Sequence, residues 1–357
     1  MNKNINKIKI AITTACNLNC SYCFVNRTKE TMRLESARKA VDLLLSSAGT
    51  DKLFSIYGGE PLLNFKLIKE ICPYALSEAR KLNKNLIISV CTNGTLLNQE
   101  HLDFFRKFGI KLIISMVGSK ISHNRFRKLN SNRNSYEIIL KKLPLVFKSM
   151  PAQNLGVSFC VFPSLAGNIG KDFNHLLTLG FKYINFEIIR EYEKWTQKRI
   201  ERFTSEFKKI SGYVFSEISK GNFIFLNPVN WEIRYGVLTK SLGARCPFDY
   251  KLEVYPDGSM AFSPFLLNSV KKDDYIIGNI NKSFVRFDSC KFNLKSVRCQ
   301  RCEGDYLENY PFDERASMVY KLCGLICLEM AKKIQENAHR VKVFRDYIDI
   351  IKQKVCF

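Results

Sequence analysis

Apolar residues recur along this chain in two alternating rhythms. Short, almost continuous apolar runs rich in β-branched residues lie at 8–14, 52–57, 85–91, 110–116, 157–162 and 181–189, and such runs read as strands covered on both faces. Between them, apolar residues at helical spacing predict helices over 32–47, 64–82, 98–108, 136–150 and 167–179; in the first of these Ala37, Ala40, Val41, Leu43 and Leu44 carry the stripe. Strand, loop and helix repeat about every thirty residues. That order predicts an α/β fold with a parallel sheet, in which ligands collect at the C-terminal ends of the strands.

The rhythm changes after 192. A charged helix is expected over 193–220, then aromatic, Asn, Pro and Gly residues thicken after Gly221, and cysteines return from Cys246 onward. The chain therefore divides into a first domain at 1–192, a helical connecting region at 193–242 and a cysteine-rich part at 243–357. Tyr255-Pro256-Asp257-Gly258 reads as a hairpin turn. The stretch 330–354 reads as a basic amphipathic helix or helix pair that docks on a core, and Trp195 and Trp231 are expected to be buried.

Composition adds bounds. A chain of 357 residues at 46% hydrophobic content can bury a large core. The first seven residues are polar and no apolar run has the length of a membrane span, so a cytoplasmic protein with no membrane partner is expected. Thirteen cysteines in that setting point to metal or redox chemistry rather than a disulfide framework. The net charge of +23 suits an acidic partner or a solvated cationic surface. Its densest part, 106–148, holds eleven Lys or Arg and one acid, Glu137.

Three of the cysteines, Cys16, Cys20 and Cys23, stand at C-x3-C-x2-C spacing after the first strand. A closed structural zinc site takes four ligands, whereas an iron–sulfur cluster held by three leaves one iron open. A zinc loop with a distant fourth ligand, or three unrelated thiols, would fit the spacing alone. Two more loops follow strands: Gly58-Gly59-Glu60-Pro61, whose glycines permit close backbone approach or a type II turn, and Thr92-Asn93-Gly94-Thr95.

Taken with Tyr22 before the last cysteine, these three stretches resemble the signature of the radical S-adenosylmethionine (radical SAM) enzymes. The resemblance implies a partial (β/α)6 barrel with a [4Fe–4S] cluster on Cys16, Cys20 and Cys23. S-adenosylmethionine on the open iron is then cleaved to a 5′-deoxyadenosyl radical. It places cofactor contacts at Tyr22, at Gly58, Gly59, Glu60 and Pro61 for the methionine ammonium, at Thr92 and Asn93 for the ribose, and at Ser115 with Arg127 or Arg133 for the carboxylate. The family subgroup often carries Ser-x-Asp-Gly and then His-Asp, where this chain has Ser115-Met116-Val117-Gly118 and His123-Asn124, so two carboxylates are missing. No catalytic acid or base stands out.

The later cysteines are similar to the SPASM extension, which holds auxiliary [4Fe–4S] clusters. By position, Cys299, Cys302, Cys323 and Cys356 would hold an outer cluster, and Cys246 and Cys327 an inner one. Ser263 stands where a further cysteine is expected, which leaves three alternatives for the inner cluster: Cys290 as a substitute ligand, an open iron that binds substrate, or no inner cluster. A zinc knuckle on Cys299, Cys302, Cys323 and Cys327 is the alternative. Cys72, Cys91 and Cys160 read as small buried hydrophobes.

Families with this extension act mainly on peptides and proteins. The resemblance thus implies an oxidoreductase-type maturase that abstracts hydrogen from a residue of a ribosomally made precursor peptide, with an external low-potential electron donor such as flavodoxin or ferredoxin. The cationic stretch 106–148 would attract an acidic leader, since only seven residues precede the first strand. Alternatives are an anaerobic sulfatase-maturating, formylglycine-forming enzyme, an RNA-modifying or RNA-binding iron–sulfur protein, and a non-enzymatic electron carrier or scaffold. Basic charge alone does not argue for nucleic acid, which is not expected as a partner.

Overall fold

The computed structural model describes residues 5–189, 192–235, 251–261, 276–282, 284–285 and 314–354. It is a mixed α/β structure that divides into two compact units, one built from Met1–Asn19, Cys23–Leu112 and Ala244–Phe312, the other from Cys20–Tyr22, Ile113–Gly243 and Asp313–Phe357.

The first unit is organised around β1 (Lys7–Ala11), β2 (Asp51–Tyr57) and β3 (Asn85–Thr92). These pair in parallel, Ile8 against Phe54 and Phe54 against Ile88. Ile8, Ile10, Phe54, Ile56, Ile88 and Val90 are buried on the same face of the three strands. Helices α1 (Leu34–Ser46) and α2 (Phe65–Lys81) pack on this sheet. Ala37, Ala40, Val41 and Leu44 of α1 are fully buried, at the spacing that puts a stripe on one side of a helix. Helix α3 (Gln99–Lys107) starts where the Asn98 side chain accepts the His101 N–H at 3.0 Å.

Lys52 is buried at the start of β2, where its ammonium donates to Ile5 O, Ser47 Oγ and Ala48 O. Lys84 donates to Ser47 O and Gly49 O, so two lysines hold the carbonyls of the turn that follows α1. Burial lowers the Lys52 pKa to about 8, with the Lys84 charge adding to the effect.

The other edge of this sheet is late sequence. Strand β8 (Lys251–Val254) pairs in parallel with β1, and β9 (Ser259–Ala261), β10 (Gly278–Asn279) and β11 (Phe284–Val285) follow antiparallel, giving the order β11-β10-β9-β8-β1-β2-β3. The expected hairpin turn joins β8 to β9. Gly258 there has φ +85°, and a Cβ on it would lie 2.4 Å from Asn281 Nδ2.

In the second unit, which takes in β4 (Lys111–Met116) from Ile113 onward, β4, β5 (Leu155–Val161), β6 (Tyr183–Ile188) and β7 (Phe225–Leu226) lie side by side in that order, with β5, β6 and β7 parallel. Every residue of β5 is buried. The helices are α4 (Lys120–Phe126), α5 (Tyr136–Ser149), α6 (Ile169–Thr178), α7 (Gln197–Ser219), α8 (Asn227–Tyr235), α9 (Glu314–Ala338) and α10 (Lys342–Lys354). Helix α4 falls where the sequence pattern predicts none, because its seven residues are too short and too polar to show a period.

The expected C-terminal helix pair is present and docks on a core. Tyr347 of α10 is fully buried, stacks on Phe225 at 4.9 Å and donates its hydroxyl to Ile224 O. Trp195 is buried as expected and donates its indole N–H to Ile189 O, while nothing is described of the Trp231 side chain. Among the described residues no helix is long and apolar enough to cross a membrane.

Candidate functional site

The loop bearing Cys16, Cys20 and Cys23 leaves the end of β1, and two threonines close its base. Thr13 pairs with Thr31 in an isolated antiparallel bridge and its hydroxyl donates to Glu30 O. The Thr14 N–H donates to Glu30 O, the Glu30 N–H returns a bond to Thr14 Oγ1, and Thr14 Oγ1 meets Thr28 Oγ1 at 3.0 Å. The sequence reading gave these threonines no role. Their hydroxyls look like ordinary strand residues until the chain folds back on them.

The Gly58-Gly59-Glu60-Pro61 turn lies directly against that base. Gly59 N–H donates to Thr13 O at 2.7 Å and Glu60 N–H to Ala15 O at 2.8 Å. A Cβ on Gly58 would lie 2.2 Å from Thr13 O, and one on Gly59 would lie 2.2 Å from Ala15 O. The missing side chains thus let this turn dock on the backbone of the cysteine loop. Gly58 also holds φ +140°, a conformation open to glycine.

Glu60 is fully buried and faces inward to the protein. Its Oε1 accepts the Leu62 N–H and the Thr92 hydroxyl, and its Oε2 accepts the Asn93 N–H. Pro61 opens a short 3₁₀ turn, Pro61–Asn64, that leads into α2. The Thr92-Asn93 turn is thereby tied to the glycine turn through one carboxylate.

Asn93 carries the connection on to the cysteine loop. Its Nδ2 donates to Asn17 Oδ1 at 2.8 Å and lies 3.9 Å from Cys16 Sγ, while its Oδ1 accepts the Thr95 N–H and the Thr95 hydroxyl. The Leu18 N–H also points at Cys16 Sγ, at 3.4 Å. Asn17, which closes the set by donating to Thr95 Oγ1, is another residue that sequence reasoning passed over.

The other group of residues belongs to the second unit. Arg127 is 6% exposed and donates through its NH1 group to the Tyr22 hydroxyl, which in turn reaches Cys160 Sγ at 3.5 Å. Among the described residues Arg127 Nε, which is buried, has no hydrogen-bond partner. The Tyr22 ring meets Phe162 edge-on at 4.8 Å and packs on a buried cluster of Val117, Phe126, Cys160, Phe162 and Leu165. Burial pushes the Tyr22 phenol pKa well up against the opposing pull of Arg127, and burial raises the Cys160 thiol to about 11. Both groups are neutral at physiological pH.

His123 locks the segment that leads to Arg127. Its Nδ1 accepts the Val117 N–H at 3.4 Å and its Nε2 pairs with Ser135 Oγ at 3.0 Å, while the Ser135 hydroxyl donates to Arg127 O. That set requires the proton on Nε2. Burial first, and the Arg127 charge second, hold the His123 pKa well below 6.5. Arg133, by contrast, is exposed and bonds Ser131, and Ser115 is half-buried on β4.

Cys16, Cys20 and Cys23 are half-buried and in no disulfide, in contrast to the fully covered Cys72. Cys91, expected to be buried, is half-buried. Among the described residues no three His, Cys, Asp or Glu side chains form a ready-made metal cage. Cys323 and Cys327 lie one turn apart on α9 and are both buried, Cys327 with its thiol pKa raised by the bond to Cys323 and by burial. Cys246, Cys290, Cys299, Cys302, Cys356 and Ser263 lie outside the described residues.

Comparison with known proteins places this site in context. Residues 10–163 match the sequence model of the Radical SAM superfamily. The cysteine-type anaerobic sulfatase-maturating enzyme of Clostridium perfringens is 24% identical over 332 residues, covering 81% of this chain and 87% of that protein. The radical SAM cyclopropyl synthase TigE of Paramaledivibacter caminithermalis is 24% identical over 162 residues, or 40% of this chain and 33% of that one. The solved structure of native anSMEcpe with bound AdoMet and Cp18Cys peptide superposes with a TM-score of 0.71 at 19% identity, covering 93% of this chain and 99% of that one. The fold is that of the radical SAM partial barrel.

Proposed function

This chain is a radical SAM enzyme, its radical SAM domain spanning residues 10–163, and from that premise we propose that it abstracts hydrogen from a residue of a peptide and so modifies or crosslinks a precursor peptide. The supporting observation is extent: a relative named for maturing another protein matches 81% of this chain.

The residues present fit the family's cofactors. Three thiols on one short loop are a soft donor set for iron and sulfide. Arg127, buried and with Nε unpartnered among the described residues, is suited to grip a carboxylate. When bound, the [4Fe–4S] cluster and S-adenosylmethionine supply reductive cleavage to a 5′-deoxyadenosyl radical. Cys16, Cys20 and Cys23 would hold the cluster. Arg127 and Ser115 would hold the methionine carboxylate, the carbonyls of the glycine turn would receive its ammonium, and the aromatic wall at Tyr22 would exclude water.

Further parts of the reading are an auxiliary cluster on Cys299, Cys302, Cys323 and Cys356, a flavodoxin- or ferredoxin-like electron donor, and an acidic leader drawn to the cationic stretch. In that stretch Lys120 is paired with Glu137 at 2.8 Å, whereas Lys141 is exposed. Changing Arg125, Lys128 and Lys141 to Glu should weaken binding of an acidic peptide, and unchanged affinity would remove the leader role.

The deciding experiment uses anaerobically reconstituted protein with reductant and S-adenosylmethionine. Formation of 5′-deoxyadenosine, abolished in the Cys16→Ala, Cys20→Ala, Cys23→Ala variant, supports the radical reading. Its absence in the wild type with full iron loading overturns it. Offering a Cys-x-Pro-x-Arg peptide then separates a second reading, formylglycine formation, which the match to the sulfatase-maturating enzyme favours. An aldehyde trapped by a hydrazine would select it over a crosslinking maturase.

A further inference from the structure

Asp172, on α6, is a buried carboxylate that touches none of the cysteine loop, the glycine turn or Arg127. It is 2% exposed. Its Oδ1 accepts the Ser119 N–H at 2.9 Å and its Oδ2 accepts the Ser122 hydroxyl at 2.8 Å. Ser119 is the N-cap residue of α4, and its own side chain makes no capping bond. A carboxylate from a distant part of the chain therefore caps α4, where the unpaired N–H groups and the helix dipole both favour a negative charge.

Gly118 makes this approach possible. It holds φ +89°, and a Cβ there would lie 2.3 Å from Asp172 Cβ. A short glycine-only turn and a buried carboxylate are thus fitted to each other.

What α4 carries at its other end gives the cap its significance. The Arg127 N–H donates to His123 O, so the arginine follows on from the last turn of the helix. Phe126 O accepts the N–H of Ser21, and the Arg127 guanidinium bonds Tyr22. Ser21 and Tyr22 lie between Cys20 and Cys23 in the loop. A helix of seven residues is one rigid piece, so a grip at Ser119 and Ser122 fixes where Phe126 and Arg127 sit.

We propose that Asp172 is a positioning residue of the cofactor site: by capping α4 it sets the place of Arg127 and of the Ser21–Tyr22 backbone, and so the affinity for S-adenosylmethionine. The inference rests on the reading of Arg127 as the carboxylate grip. Asp172 touches neither cofactor nor substrate.

The test compares Asp172→Asn with wild type, both anaerobically reconstituted, using S-adenosylmethionine itself as the probe. Asn keeps the shape but replaces one acceptor oxygen by a donor facing either Ser119 N–H or Ser122. The expected result is unchanged iron content with a Kd for S-adenosylmethionine, by equilibrium dialysis, raised about tenfold, the size of one lost charge-assisted contact. The spectral change of the reduced cluster on adding S-adenosylmethionine should shrink in parallel.

Ser47→Ala provides the control, since it removes buried bonds to Ile5 O and Leu44 O in the first unit and lowers Tm without touching this helix. An Asp172→Asn protein that loses Tm as Ser47→Ala does but binds S-adenosylmethionine like wild type overturns the proposal. Should Asp172→Asn fail to fold, Ser122→Ala deletes the second bond, along with the Ser119 hydroxyl's bond to Ser122, but keeps the Ser119 N–H bond to Asp172, and is expected to raise Kd by a smaller factor; an unchanged Kd there overturns it equally. Failure of the wild type to bind S-adenosylmethionine would instead strike the reading of the whole site.

Discussion

Thr92 donates its hydroxyl to Glu60 Oε1 at 2.6 Å, and this bond ties the turn after β3 to the turn after β2. With the Leu62 and Asn93 N–H groups, it makes Glu60 a buried carboxylate satisfied by three donors. Glu60→Gln turns one of those acceptors into a donor facing a donor. The expected cost is about 1–3 kcal/mol of stability, read as a lower denaturation midpoint, together with reduced cluster loading. Unchanged loading would show that the Asn93 turn holds its place without Glu60.

Gly59 meets Ala15 O so closely that no side chain fits without moving backbone. Gly59→Ala should displace the cysteine loop and cut iron incorporation during reconstitution. Gly109→Ala is the comparison: that glycine has positive φ, +63°, but a Cβ there meets nothing within 4 Å. It is expected to lose about 1 kcal/mol from backbone strain and to retain its iron.

Cys16 Sγ faces two N–H groups, those of Asn93 Nδ2 and Leu18. Hydrogen bonds to a ligating sulfur stabilise the reduced, more negative cluster and raise its potential. Asn93→Leu removes one of them. The reduction potential of the reconstituted cluster should fall, measured by redox titration with EPR detection, and an unchanged potential would mean that the amide does not reach the sulfur once iron is bound.

Burial keeps His123 neutral in the folded state, with its pKa well below the 6.5 of a free side chain. Between those two values the unfolded chain binds the extra proton. Stability is therefore fully present above about pH 6.5 and falls as the pH drops below it, with a limiting slope of about 1.4 kcal/mol per pH unit. His123→Gln should remove that part of the acid dependence in denaturant titrations.

Lys52 acts in the opposite window. Its folded pKa of about 8 lies below the 10.5 of a free lysine. From pH 8 to about 10.5 the unfolded state holds the extra proton, so this group makes the fold more stable as pH rises. A Lys52→Met variant should lack the rise, although it also removes the lysine's bonds to Ile5 O, Ser47 Oγ and Ala48 O and is less stable at neutral pH.

Much of this architecture can be read from the order of the residues. The apolar pattern predicts a strand over 52–57, where β2 runs Asp51–Tyr57, and a helix over 98–108, where α3 runs Gln99–Lys107. Periodicity finds such elements because burial of one face imposes it locally. The three cysteines and the two turns after β2 and β3 were equally visible, since their spacing along the chain is itself the signal.

Other features arise only when distant segments meet. The sequence does not say that β8 pairs beside β1 rather than elsewhere, because a four-residue strand carries no information about its partner. Arg127 and Arg133 are alike as letters, and only packing buries one with Tyr22 and leaves the other in water. Val117 and Asn124 stand where the resemblance leads one to expect carboxylates, while Asp172, fifty-three positions after Ser119, supplies the carboxylate that caps α4. Local pattern determines which elements form and which chemistry they bear; the docking of one element on another decides which charges are buried, which donors are left over and what holds the loop.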